Sequence, residues 1–89
     1  SPLLHMELLK DIHRYMRRAG FGDTQTLHFP QPVYPSGWWS CTMATKNGFN
    51  GFRETDSANR PFTTRYYSPE VHKGALALPP FMLEAFADL

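Results

Sequence analysis

Pro32-Val33-Tyr34-Pro35-Ser36-Gly37-Trp38-Trp39 is the stretch on which the fold turns, because it joins two runs that read as β-strands. Upstream, Thr24 to Phe29 alternates. Thr24, Thr26 and His28 fall on one side and Gln25, Leu27 and Phe29 on the other, the period-two pattern of a strand. Pro30 and Pro32 end it, since proline cannot donate to a ladder. Downstream, Trp38 to Thr45 is a second β-rich run. Two such runs joined by about eight residues predict an antiparallel pair with a wide connection. Pro35-Ser36-Gly37 reads as a β-turn, because the strand-turn-helix setting of a nucleophile elbow is missing.

The same octapeptide gathers three large rings, Tyr34, Trp38 and Trp39, under the restraint of two prolines near a glycine. Consecutive strand residues face opposite sides, so Trp38 and Trp39 must part. Tyr34 and Trp39, five apart across the turn, can line one pocket. Their faces suit a cation, and the same rings suit a core. Pro32-Val33-Tyr34-Pro35 also matches a bare PxxP, a weak docking signal when embedded between strands.

Before this pair lies a helix. Ser1 is a candidate cap and Pro2 suits a first helical position. Leu4, Leu8, Ile12, Tyr15, Met16 and Ala19 make one apolar face, widened by Leu3, Met6 and Leu9. Glu7 with Lys10 and Asp11 with Arg14 mark the wet side. Gly20 is the expected stop, with Phe21 as its apolar follow-on. After the strands, Lys46-Asn47-Gly48 is a turn and residues 49–61 a polar surface excursion. Thr63 to Tyr67 reads as a short extended piece. Ser68 caps a second helix weakened by Gly74, and after Pro79-Pro80 a last short helix runs from Phe81 to Leu89.

The composition suits one small α/β domain: 89 residues, 42% hydrophobic and 15% aromatic. A net charge of +1 calls for neither nucleic acid nor an anionic membrane. Cys41 is the single cysteine, so no internal disulfide forms, and it reads as a small buried hydrophobe. No apolar run is long enough for a membrane helix and no secretory signal pattern is present, which points to the cytoplasm. The histidines His5, His13, His28 and His72 lack metal-ligand spacing, so no metal site is expected. The carboxylates offer no catalytic pair, and no glycine-rich phosphate loop appears. The chain opens at Ser1-Pro2 on an apolar helix with nothing before it to pack on, as expected of a piece of a longer protein. Two strands are a poor floor for such a helix, so the chain reads as the last third of a domain whose first strands are absent.

Several stretches together carry a family likeness. Leu4-His5 with Leu8-Leu9-Lys10, then Pro32-Val33-Tyr34-Pro35-Ser36-Gly37, then Arg65-Tyr66-Tyr67-Ser68-Pro69-Glu70-Val71-His72-Lys73 and Ala77-Leu78-Pro79, resemble the C-terminal part of the spermidine synthases, the polyamine aminopropyltransferases. The resemblance runs along nearly the whole chain in the same order. It implies that residues 1–89 are the C-terminal part of one Rossmann-like, methyltransferase-type catalytic domain, incomplete when isolated. It implies transfer of an aminopropyl group from decarboxylated S-adenosylmethionine to putrescine or a related diamine, giving spermidine and methylthioadenosine, usually in a homo-oligomer. Tyr34 takes the family's place for the tyrosine lining the amine pocket, and Trp39 that of a tryptophan doing the same in some members. The donor-binding segment and the catalytic aspartates fall outside this chain. No catalytic, cofactor-binding or metal residue is therefore expected here, and the fragment alone is expected to be inactive and to depend on its missing N-terminal part. The alternative is a non-catalytic module that uses the Tyr34/Trp39 corner to bind a polyamine or a partner.

Overall fold

The computed structural model describes residues 1–49 and 51–89. Its elements are α1 (Met6–Arg18), β1 (Asp23–Pro30), β2 (Trp38–Thr45), α2 (Glu54–Ala58), α3 (Pro69–Leu76) and α4 (Pro80–Phe86). The strands pair antiparallel from Asp23↔Thr45 to Pro30↔Trp38. Helix α1 packs on both strands with α4 against it, and α3 packs along β1 with α2 against α3.

The helix opening differs from expectation. Ser1 does not cap α1; its carbonyl accepts from Leu4 N at 3.1 Å and His5 N at 2.8 Å, closing a separate turn over Pro2–Leu4. Helix α1 starts later, with His5 at its N-cap and no side-chain cap. Its end follows the sequence closely. Gly20, at φ +108°, donates to Arg17 O at 3.1 Å, and Phe21 N reaches Met16 O at 3.2 Å. This is a Schellman stop, which glycine enters without steric cost.

Of the apolar face read for the first helix, Leu9 is buried, whereas Leu4, Leu8 and Tyr15 are 60%, 58% and 61% exposed, as expected of a face that nothing in this chain covers. His13 also points inward. His13, only 3% exposed, meets Thr24 Oγ1 through Nδ1 at 2.8 Å and Thr26 Oγ1 through Nε2 at 2.6 Å. Both threonines lie on one face of β1, so one imidazole spans them. Arg17 Nε donates to Thr24 Oγ1 at 2.9 Å, and Thr26 Oγ1 meets Thr42 Oγ1 at 3.1 Å on β2. Arginine can only donate, so the Thr24 hydroxyl accepts from Arg17 and shares a further hydrogen bond with His13 Nδ1. Burial lowers the His13 pKa below its ordinary 6.5, and the Arg17 charge lowers it further.

The C-terminal segment closes this core. Met82 of α4 is fully buried, the Phe86 ring lies 4.6 Å from that of His13, and Lys10 Nζ pairs with Asp88 Oδ1 at 3.5 Å. The pairs Glu7–Lys10 and Asp11–Arg14 form as expected, at 4.0 and 3.2 Å.

Elsewhere the agreement is uneven. Ser68 caps α3 as expected, its Oγ accepting from Val71 N at 3.1 Å, and the helix continues through Gly74. The last helix starts at Pro80, a residue earlier than read. The excursion at 49–61 hides the short helix α2, and its residue 50 lies outside the described residues. Thr63–Tyr67 is not a strand; it bends, with Thr64 Oγ1 donating to Tyr67 O at 2.7 Å. Cys41 is exposed, contrary to its reading as a buried hydrophobe, because it faces outward where neither helix layer covers β2. No helix among the described residues is long and apolar enough to cross a membrane.

Candidate functional site

The connection between the strands is built from two stacked turns. Tyr34 N donates to Gln31 O at 3.2 Å, and Gly37 N donates to Tyr34 O at 3.0 Å. In the second turn Pro35 precedes Ser36, which holds φ +72°. Proline followed by a positive φ is the signature of a type II turn. Serine is an unusual occupant of that position, and its hydroxyl answers locally. It donates to Trp38 O at 3.1 Å and accepts from Trp38 N at 3.3 Å. Gln31 N reaches Gly37 O at 2.8 Å and closes the loop at its neck.

This loop returns Tyr34 over the start of β2. The Tyr34 and Trp39 ring centroids are 5.0 Å apart and tilted by 44°. Tyr34 stays 52% exposed and Trp39 is half-buried. The two rings that the sequence could only place five residues apart therefore form one aromatic wall. Trp38 goes the opposite way, as alternation demands, and lies against His28 and Phe81 at centroid distances of 5.2 and 6.1 Å.

A second dense region surrounds Tyr67 and His72. Tyr67 Oη meets His72 Nδ1 at 2.8 Å and Ser57 Oγ at 2.7 Å. Phe52 approaches the His72 ring edge-on at 4.7 Å, and Arg60 lies 5.3 Å over the Tyr67 ring. Lys73 pairs with Glu54 across α3 and α2. The Ser57–Tyr67–His72 bonds and the Lys73–Glu54 pair tie α2 to α3, while Arg60 Nε is buried without a hydrogen-bond partner among the described residues. Beside them a cavity of about 600 Å³ follows the outer edge of β1, lined by four consecutive strand residues, Leu27 to Pro30, and by Tyr66, Tyr67 and α3. Among the described residues no group of three or more His, Cys, Asp or Glu is placed to hold a metal.

Sequence reasoning weighed His13 and His28 only as metal ligands and gave them no other role. Both sit in register with the Thr24–Thr26–His28 face, so the strand alternation held a signal for His28. Nothing in the helix pattern marked His13 as an inward residue.

Curated relatives cover the chain from end to end. A polyamine aminopropyltransferase of Methylococcus capsulatus is 49% identical over 89 residues, which is all of this chain and 31% of that protein. The chain matches the C-terminal part of the polyamine aminopropyltransferases. An aminopropyltransferase of Stenotrophomonas maltophilia is 49% identical over 86 residues, covering 96% of this chain and 30% of its own length. Among solved structures, the spermidine synthase of Thermotoga maritima superposes with a TM-score of 0.79 at 27% identity, over the whole chain and 31% of that protein. A spermidine synthase in complex with the transition-state analogue AdoDATO aligns equally well, with a TM-score of 0.79. The chain thus spans about a third of the length of the aminopropyltransferases it matches, and its helix, antiparallel strand pair and short helices match part of the spermidine synthase fold. No protein-family model matches it.

Proposed function

We propose that residues 1–89 are the acceptor-side part of an aminopropyltransferase catalytic domain that moves an aminopropyl group from decarboxylated S-adenosylmethionine to putrescine. The observation that carries this reading is the meeting of Tyr34 and Trp39 at 5.0 Å, within a chain 49% identical to a curated aminopropyltransferase along its whole length.

In this reading the acceptor lies along the aromatic wall. The Tyr34 hydroxyl accepts a hydrogen bond from an ammonium group, and the Trp39 face attracts the same charge or holds the methylene chain. The wall orients the amine for attack. The lone pair of the diamine's other, neutral nitrogen forms a bond to the aminopropyl carbon, the carbon–sulfur bond breaks, and its electrons pass to sulfur to give methylthioadenosine. The amine then loses a proton. We assign neither the proton acceptor nor the donor site to these residues. The wall's contribution is positioning and acceptor affinity, worth about 0.5–2 kcal/mol per cation–ring contact. The rest of the domain, and a second copy of the whole protein, are its proposed partners, and the cytoplasm its proposed location.

The test is a mass-detected transfer assay on the whole protein, with decarboxylated S-adenosylmethionine and a panel of diamines. Product from one amine supports the reading and names the acceptor. No product from any amine, together with polyamine binding at the corner, transfers the function to a non-catalytic binding module.

A further inference from the structure

Pro30 faces Trp38 in a non-hydrogen-bonded pair beside the 2.8 Å bond from Gln31 N to Gly37 O, so the Trp38 N–H points out of the ladder, to Ser36 Oγ at 3.3 Å. Yet Trp39, the next residue, must keep its ring against Tyr34.

His28 adds a side-chain restraint on Trp38. It lies on the same strand face as Pro30, and its ring contacts Trp38 at 5.2 Å. The Trp38 indole Nε1–H donates to His28 Nδ1 at 3.2 Å. On its other side, His28 Nε2 lies 2.8 Å from the carbonyl oxygen of Ala77, the residue that ends α3. An indole nitrogen only donates and a carbonyl only accepts. The two partners therefore fix one form of the ring, neutral, with its proton on Nε2. That single ring fastens the start of β2 to the link between α3 and α4, and Phe81 of α4 also lies against Trp38, at 6.1 Å.

We propose that His28 is a positioning residue for the Tyr34/Trp39 wall, holding Trp38 through Nδ1 and the Ala77 carbonyl through Nε2–H. A strand start fixed on one face fixes the direction of the next side chain on the other. Its kinetic consequence rests on the reading of the wall as an amine site; its structural consequence does not.

The whole protein is compared with His28→Gln and His28→Phe. Glutamine carries both an acceptor oxygen and an N–H donor, so it replaces both bonds, whereas phenylalanine keeps a ring and loses both. Long-range nitrogen–proton spectra of the unmodified protein are expected to show His28 protonated on Nε2 alone. The Trp38 indole N–H resonance and the ring-current shift of Trp39 by Tyr34 are expected to move in His28→Phe and to return in His28→Gln. With transfer activity present, His28→Phe raises the amine KM by about 2- to 13-fold, the worth of one net hydrogen bond, and leaves the donor KM unchanged. His28→Gln restores the amine KM. Protonation on Nδ1, or unmoved Trp38 and Trp39 signals in a folded His28→Phe, overturns the proposal. So does equal damage to amine and donor KM. If no amine is a substrate, the spectra alone decide the role of His28, and the function reading falls separately.

Discussion

Replacing His13 by leucine tests the polar core directly. Leucine roughly keeps the volume against Leu9, Met82 and Phe86 but cannot join Thr24 to Thr26. Neither threonine becomes an orphan, because Thr24 keeps Arg17 at 2.9 Å and Thr26 keeps Thr42 at 3.1 Å. The loss is therefore two net hydrogen bonds, about 1–3 kcal/mol together. A pH signature accompanies it. Folded His13 has a pKa lowered from 6.5, by burial first and the Arg17 charge second. Above 6.5 both folded and unfolded forms are neutral and the full stability is present. As the pH falls from 6.5 through the lowered folded value, the unfolded state binds the proton first and stability drains away. The leucine variant lacks this term. Urea midpoints of the whole protein, followed by tryptophan fluorescence from about pH 8 to about pH 5, are expected to show a gap that narrows on acidification. A gap that stays constant or widens, or one below about 0.5 kcal/mol at the upper pH, the floor for a net hydrogen bond, refutes the neutral, doubly bonded imidazole.

Three other outcomes follow from the same structure. Tyr34→Phe and Trp39→Ala, measured by steady-state kinetics in the whole protein, raise the amine KM or lower kcat by about 2- to 30-fold, as expected for cation–ring and phenol contacts, and leave donor binding intact. A Cβ at Gly22 would lie 2.9 Å from the Lys46 carbonyl oxygen, where the strand pair ends; Gly22→Ala should lower stability by about 1–3 kcal/mol, read from denaturation midpoints. Ser68→Ala removes the bond to Val71 N and should cost about 0.5–2 kcal/mol, with faster amide exchange confined to the first turn of α3.

The elements most legible in the sequence are those with local causes. Gly20-Phe21 specified a helix stop through backbone conformation alone, and Ser68-Pro69-Glu70 specified a start. The strand alternation placed Trp38 and Trp39 on opposite faces and allowed Tyr34 to reach Trp39. What escaped depended on partners far along the chain. The apolar stripe through Leu4, Leu8 and Tyr15 is real, but counting apolar residues cannot reveal that a histidine turns inward to serve two threonines on a strand. Helix α2 has only five residues and no buried face, so it left no periodic trace. Cys41 was read from the habits of its residue type, and the exposed flank of β2 overrode them.

The contact between α1 and α4 also bears on how the protein is made. Helix α1 ends at Arg18, and α4 begins only at Pro80. During translation the nascent helix therefore leaves the ribosome long before Met82 and Phe86 exist to cover His13 and Leu9. Through that interval its inward side is open to chaperones and to neighbouring chains. Slowing synthesis between the two helices should lengthen this exposure, and ribosome stalling ahead of Pro80 should yield a chain whose polar core is assembled but unroofed.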